Sequence, residues 1–202
     1  MDNWGSSDRE LATIYLGEAR ALRALFYFEL VRWYGNVVLM TSTADSRRKD
    51  ETFEQTAAKD VYAYIEEDLK YAAEVLPWAV DDTRRTTNAY RFSKGAALGL
   101  LAKVYCTWAG YPVRDESKWA EAEKAARRVV ESGKHRLISD YETVWKNTCN
   151  GIWDAGESLI EVSFYSPTGL DSDNTAGRIG KWNGVSATTV EGERGRNAAN
   201  WK

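Results

Sequence analysis

Between residues 12 and 34, Ala19, Leu22, Phe26, Leu30 and Trp33 recur at steps of three and four, which puts them on one stripe of an α-helix. Leu25 and Phe28 widen the stripe, and Gly35 follows as a residue free to take φ > 0 at a helix end. The pattern predicts a helix over about 12–34 that buries this stripe. Residues 37–40, "VVLM", read as extended, and 41–52 as a polar loop. A second helix is expected over about 56–75. Val61, Ile65, Leu69, Ala72 and Leu76 form its stripe, Thr52 with Gln55 offers a capping box, and Pro77 stops it. Residues 78–92 read as a long irregular connection. A third helix opens on Ser93 as N-cap, buries Ala97, Leu101, Val104 and Trp108, and stops at Gly110. The fourth, over about 117–132, is expected to bury Trp119, Ala122, Ala126 and Val129, with Gly133 closing it.

The first and third helices resemble each other when offset by about 75 positions. Ala21 then meets Ala96, Leu25 meets Leu100, Phe26 meets Leu101, Trp33 meets Trp108 and Gly35 meets Gly110. Each is followed by an alanine-rich helix, "YAYIEEDLKYAAEVL" or "WAEAEKAARRVV". Two helix-turn-helix pairs, at about 12–76 and 93–133, repeat in the manner of tetratricopeptide (TPR) units, at a spacing well above their usual ~34 residues. Downstream the period changes. "SLIEVSFY", residues 158–165, alternates and predicts a strand. From 166 to 202 the chain is rich in Gly, Asn, Ser, Thr and Asp, with almost no apolar periodicity. The expected fold class is mainly α, TPR-like helix-turn-helix pairs with a short β element and long loops. A scaffold occupies residues 1–150, and a strand plus loop-rich segment occupies 151–202.

Composition narrows the function more by exclusion than by indication. The 202 residues are 44% hydrophobic and 28% charged, with net charge -3 and pI near 5.4. That balance argues against nucleic acid as a partner. No apolar run approaches a membrane span, and "MDNWGSSDRE" lacks the regions of a signal peptide. His135, the one histidine, reads as a solvated loop residue and leaves catalytic triads and most zinc sites without partners. Cys106 reads as a small buried hydrophobe, with a disulfide or redox role as the alternative. The adjacent pairs Glu66–Glu67 and Asp81–Asp82 read as solvated surface rather than acid-base couples. "GRIGKWNG" has glycines but no phosphate-loop context, and "DSDN" no complete calcium loop, so no cofactor or metal is expected. Arg20 and Arg23 flank the first stripe, either as a wet rim or as a buried ion-pair set.

Nine tryptophans and eleven tyrosines remain to be explained. Pyranose C–H faces stack on flat aromatics, and their hydroxyls pair with amides, carboxylates and arginines. The best local match follows the predicted strand: Tyr165, Asp171, Asp173, Asn174, Arg178, Trp182 and Asn183, with Trp153 upstream as a second aromatic candidate.

Five segments in order carry a resemblance. "GEARALRALFYFELVRWYGNVVLM", "VYAYIEEDLKYAAEVLP", "RFSKGAALGLLAKVYCTWAGYP", "WAEAEKAARRVVESGKHRLISDYETVWK" and "GESLIEV" resemble successive motifs of the SusD/RagB family of Bacteroidota outer-membrane nutrient-binding lipoproteins. Val38 stands where that family usually has proline. Family members are considerably longer and begin with a lipoprotein signal and an acylated cysteine. The chain therefore reads as a fragment or truncated product without the anchor, and it is expected to be poorly soluble alone. The resemblance implies a non-catalytic binder of oligosaccharides or other nutrients. It would sit at the outer-membrane surface as a lid on a SusC-like TonB-dependent transporter, attached to the membrane only through the lipid. It implies no individual sugar contacts. A TPR-like protein-interaction module without sugar binding is the rival. A glycosidase would need two convergent carboxylates, and the sequence names none.

Overall fold

A computed structural model of the chain describes residues 5–42, 53–88 and 90–161, together with the backbone of two short strands. The chain forms two compact units, Met1–Glu161 and Val162–Lys202. The first unit carries six α-helices among the described residues: α1 Ser6–Tyr34, α2 Ala58–Val75, α3 Thr83–Thr86, α4 Lys94–Ala109, α5 Lys118–Glu131 and α6 Tyr141–Cys149. In the second, β1 Ser186–Thr188 pairs antiparallel with β2 Arg194–Arg196, with Ala187 opposite Gly195. The predominantly helical, paired architecture agrees with the sequence expectation.

α1 starts six residues before the apolar pattern does. Gly5 is an extended N-cap, and Asp8 in the first turn meets the positive end of the helix dipole. Its buried face is not the predicted one. Ile14, Gly17, Ala21, Ala24, Phe28 and Val31 are buried, while Leu22, Phe26, Leu30 and Trp33 are exposed. The reason is small residues. A Cβ placed on Gly17 would lie 2.6 Å from a Val75 methyl, so Gly17, Ala21 and Ala24 let α1 approach α2 closely. Two apolar stripes compete on this helix, and the one with the smaller side chains wins the closer packing.

α2 is the centre of the stack, with α1 against it on one side and α4 on the other. Its predicted stripe, Val61, Ile65, Leu69, Ala72 and Leu76, is buried throughout. Tyr62 spans the two contacts, edge-on to Phe28 at 6.5 Å and stacked on Trp108 at 5.5 Å. The predicted capping box is not what opens α2. The helix begins at Ala58, whose N–H donates to Asn36 Oδ1 (3.0 Å), and Val37 pairs with Thr56 in an isolated antiparallel bridge; Thr52 lies outside the described residues. Gly35, at φ 71°, ends α1, and its neighbour Asn36 caps α2.

Ser93 caps α4 as expected, accepting from the Ala96 N–H at 3.1 Å, and Ala97, Leu101, Val104 and Trp108 are buried. The offset that relates the first and third helices therefore pairs exposed Phe26 and Trp33 with buried Leu101 and Trp108. The aligned positions serve different faces, because α4 is flanked by both α2 and α5. On α5 only the alanine face is buried, through Ala122 and Ala125; Trp119 and Ala126 are exposed and Val129 is half-buried. Beyond it, Asp140 caps α6 by accepting from the Glu142 and Thr143 N–H groups. α6 buries no residue, so no stripe announces it in the sequence. Residues 158–161 are not a strand; 162–165, the rest of that prediction, lie outside the described residues.

Candidate functional site

Of the predicted sugar-contacting residues, Trp153 is described; Tyr165, Asp171, Asp173, Asn174, Arg178, Trp182 and Asn183 lie outside the described residues. Trp153 sits half-buried in the turns after α6, and its Nε1–H donates to the Arg85 carbonyl at 3.2 Å. That leaves a ring face, not the indole N–H, for any sugar. Next to it Asp154 accepts from the Gly156 N–H (2.8 Å) and from Arg136 Nη2 (2.8 Å). Burial pushes the Asp154 carboxyl up, but the hydrogen bonds from Arg136 and Gly156 outweigh it and hold it below the usual range.

Arg85 itself is wholly buried. Its guanidinium donates to the Phe92 carbonyl through Nε (2.7 Å) and to Glu18 and Asp82 through its two terminal nitrogens. Arg91 holds the same Glu18 bidentately, at 3.0 and 2.6 Å. Asp82 caps α3 by accepting from the Arg84 N–H at 2.9 Å. Arg85 thus ties α1 to the connection before α4 through its guanidinium, and the Trp153 turn through its backbone carbonyl. The sequence reading missed it because the partners are far apart in the chain: 67 residues separate Glu18 from Arg85.

A second charged cluster joins α1 to α2. Arg23 donates bidentately to buried Asp68, at 2.8 Å on both bonds, which raises the arginine's pKa. Arg20 lies 3.8 Å from Asp68 and 4.3 Å above the Tyr71 ring. The ion-pair reading of these arginines is the one the structure shows. Glu66 is not solvated surface: it accepts from Tyr105 Oη (2.8 Å), Lys70 (2.6 Å) and Lys118 (3.0 Å). Burial raises its pKa, but these three hydrogen bonds bring it below the ordinary value. Burial and the same carboxylate push the Tyr105 hydroxyl well up. Asp81 and Asp82 likewise are engaged, with Lys134 and with the arginines. Each of these carboxylates is held by cations of the scaffold.

Two further expectations are corrected. Cys106 is exposed, as is Cys149, because Cys106 lies opposite the buried face of α4. His135 is not solvated: both ring nitrogens are buried without a hydrogen-bond partner, and the ring sits edge-on to Trp78 at 5.7 Å and against Gly95. Burial lowers its pKa. The unfolded chain then binds the extra proton first, so stability is full above the free value of about 6.5 and falls as pH drops through the folded value. Thermal midpoints of the protein and of His135→Phe, measured between about pH 7.5 and pH 5, should show the parent losing ground to the variant as pH falls; parallel curves would reject this.

Among the described residues no cluster of His, Cys, Asp and Glu could hold a metal ion, and no helix is long and apolar enough to cross a membrane. An apolar groove of about 600 Å³ runs along the outer side of α1, lined by Leu22, Phe26, Leu30, Val38 and Met40.

Comparison with known proteins gives this architecture its relatives. Residues 5–106 match a family model described as SusD-like, "Starch-binding associating with outer membrane". A SusD-like protein of Bacteroides ovatus is 31% identical over 164 residues, covering 79% of this chain and 28% of the relative. The crystal structure of a SusD homolog from Bacteroides thetaiotaomicron superposes with a TM-score of 0.85 at 63% identity, covering 98% of this chain and 37% of that one. A structure described as a laminarin binding SusD-like protein is similar at 27% identity and TM-score 0.59, over 79% of this chain and 32% of its own. The chain thus spans between 28% and 37% of these relatives' lengths. With half of its residues matched by the family model and the paired-helix scaffold shared with a 63%-identical homologue, the chain belongs to the SusD-like family.

Proposed function

We propose that this protein is a non-catalytic, surface-exposed outer-membrane binder of oligosaccharides that passes its ligand to a SusC-like TonB-dependent transporter. The observation that carries the reading is the match of residues 5–106 to a family described as starch-binding. A structural relative named for laminarin binding supports a glycan as the ligand class. The described carboxylates support a binder rather than a hydrolase: Glu66, Asp68 and Asp82 are each taken up by cations of the scaffold. In this reading residues 1–150 are scaffold, and 151–202 open the ligand-binding part. The contacts come from the ring face of Trp153 and from Tyr165, Asp173, Asn174, Arg178, Trp182 and Asn183. No cofactor or metal takes part.

A glycan array on the protein, with Trp182→Ala alongside, tests this. Binding should fall by about tenfold or more, ~1.4 kcal/mol, when the indole is removed. Binding retained in the variant would move the site away from Trp182. Binding to no glycan would favour the second reading, a TPR-like protein-interaction module, which the exposed apolar groove on α1 supports.

A further inference from the structure

Residues 134–157, between α5 and the turn that carries Trp153, are fixed to the helical stack at few points. His135 sits against Gly95 of α4 and edge-on to Trp78. Lys134 pairs with Asp81 at 2.8 Å on the surface, and the Trp153 indole donates to the Arg85 carbonyl. Ala155 and Gly156 are the only buried residues of the stretch, and α6 within it buries none. Its two arms are joined to each other where the Arg136 N–H donates to the Gly156 carbonyl at 2.9 Å. A segment closed on itself, with little apolar burial, opens as a unit ahead of the core.

The seat of His135 is built for a neutral ring. A Cβ on Gly95 would collide with Nε2, so the glycine makes the room. Both ring nitrogens are buried there without a hydrogen-bond partner. Gly95 is the second residue of α4, so the ring meets the positive end of a 16-residue helix. The nearby carboxylates are committed elsewhere. Asp81 is taken by Lys134, Asp154 by Arg136 and Glu131 at the end of α5 by Arg127, while Glu157 accepts the Ile138 N–H. Lys94, beside Gly95, adds only positive charge. The Gly156 backbone favours a charged ring, but burial outweighs it and lowers the His135 pKa.

We propose that residues 134–157 form an acid-released strap: protonation of His135 expels its ring from the Gly95 seat and frees the segment, Trp153 with it, while α1, α2 and α4 stay packed. His135 is the chain's one histidine, so it supplies the side-chain charge change expected between about pH 5 and 8. The open strap takes up a proton that the closed one refuses. It is therefore fully closed above the free value of about 6.5, and its open-to-closed ratio rises by up to about tenfold per pH unit below it. The device is independent of which ligand the protein binds.

Hydrogen exchange read by mass spectrometry tests it on the 202-residue chain, at about pH 7.5 and pH 5.5, with the intrinsic pH dependence of exchange divided out. The best-protected amides of 134–157 should exchange with at least about tenfold less protection than those of α2 at both pH values. Their protection should fall about tenfold on acidification, and His135→Phe should abolish that fall. Gly95→Ala fills the seat and suits a helix, so it should lower the strap's protection already at the higher pH and leave it insensitive to acid. A fall of less than about twofold in the parent would overturn the proposal, as would a full fall that survives in His135→Phe. Equal protection of the strap and α2 would overturn it too, because the helices would then open together. Should His135→Phe not fold, Gly95→Ala decides, and strap protection unchanged by that variant rejects the seat. No glycan enters the measurement, so its failure leaves the binding reading to the array.

Discussion

Replacing Arg85 with alanine should cost the helical unit about 3–5 kcal/mol, because truncating one member of a buried charge network strands the others. The guanidinium is wholly buried and is shared among Glu18, Asp82 and the Phe92 carbonyl. The loss should fall at the lower end of that range, since Arg91 still holds Glu18 and Arg84 still holds Asp82. For a domain of this size that is a drop of roughly 10 °C in the thermal midpoint. Arg85→Lys keeps the charge but not the planar fork that reaches three acceptors at once, so it should recover only part of the loss. The Trp153 indole, which donates to the Arg85 carbonyl, should report the change through its fluorescence. Urea unfolding that shows a loss below about 1 kcal/mol for Arg85→Ala would remove Arg85 from its central place.

The second large effect is expected at Trp108. Its ring stacks on Tyr62 at 5.5 Å and lies under the Lys118 ammonium at 3.9 Å, and its Nε1–H is buried without a partner. Trp108→Ala should cost about 3–5 kcal/mol through the cavity it leaves between α2, α4 and the start of α5. Trp108→Phe should cost under about 1.5 kcal/mol, because it keeps most of the stacking surface and removes an N–H that the fold leaves unsatisfied. The gap between the two variants is the informative quantity. If phenylalanine were as damaging as alanine, the indole N–H would have to be contributing to stability, contrary to its environment.

The pairing of helices was legible in the sequence because the predicted stripes of α2 and α4 are among the residues they bury, and Ser93, Gly35 and Gly133 mark ends in the expected way. The face of α1 was not, because periodicity reports which residues share a stripe and is silent on which of two stripes meets a neighbour. Gly17, Ala21 and Ala24 decide that through closeness of approach, a property invisible to a count of large hydrophobes. α6 escaped because its start depends on the Asp140 side chain and not on burial. His135 and Cys106 exchanged their expected environments for a related reason. Burial of a loop residue depends on what crosses over it, here Trp78 and Gly95, and α4 presents to its neighbours only the faces they reach. Of the candidate site, the family signature was readable in five ordered segments. The buried arginine beneath Trp153 was not, since its carboxylate partners come from α1 and from the residue just before α3.

The junction of α1 and α2 has a consequence for how such chains vary. The backbone bridge between Val37 and Thr56 and the cap from Asn36 to Ala58 close the base of the connection between the two helices. The geometry of the helix pair is therefore set at that neck. Doubling the length of a loop closed in this way adds only about 0.6 kcal/mol of closure entropy. Insertions between the two sides of that neck should thus be nearly neutral to the scaffold, with α1 and α2 keeping their register.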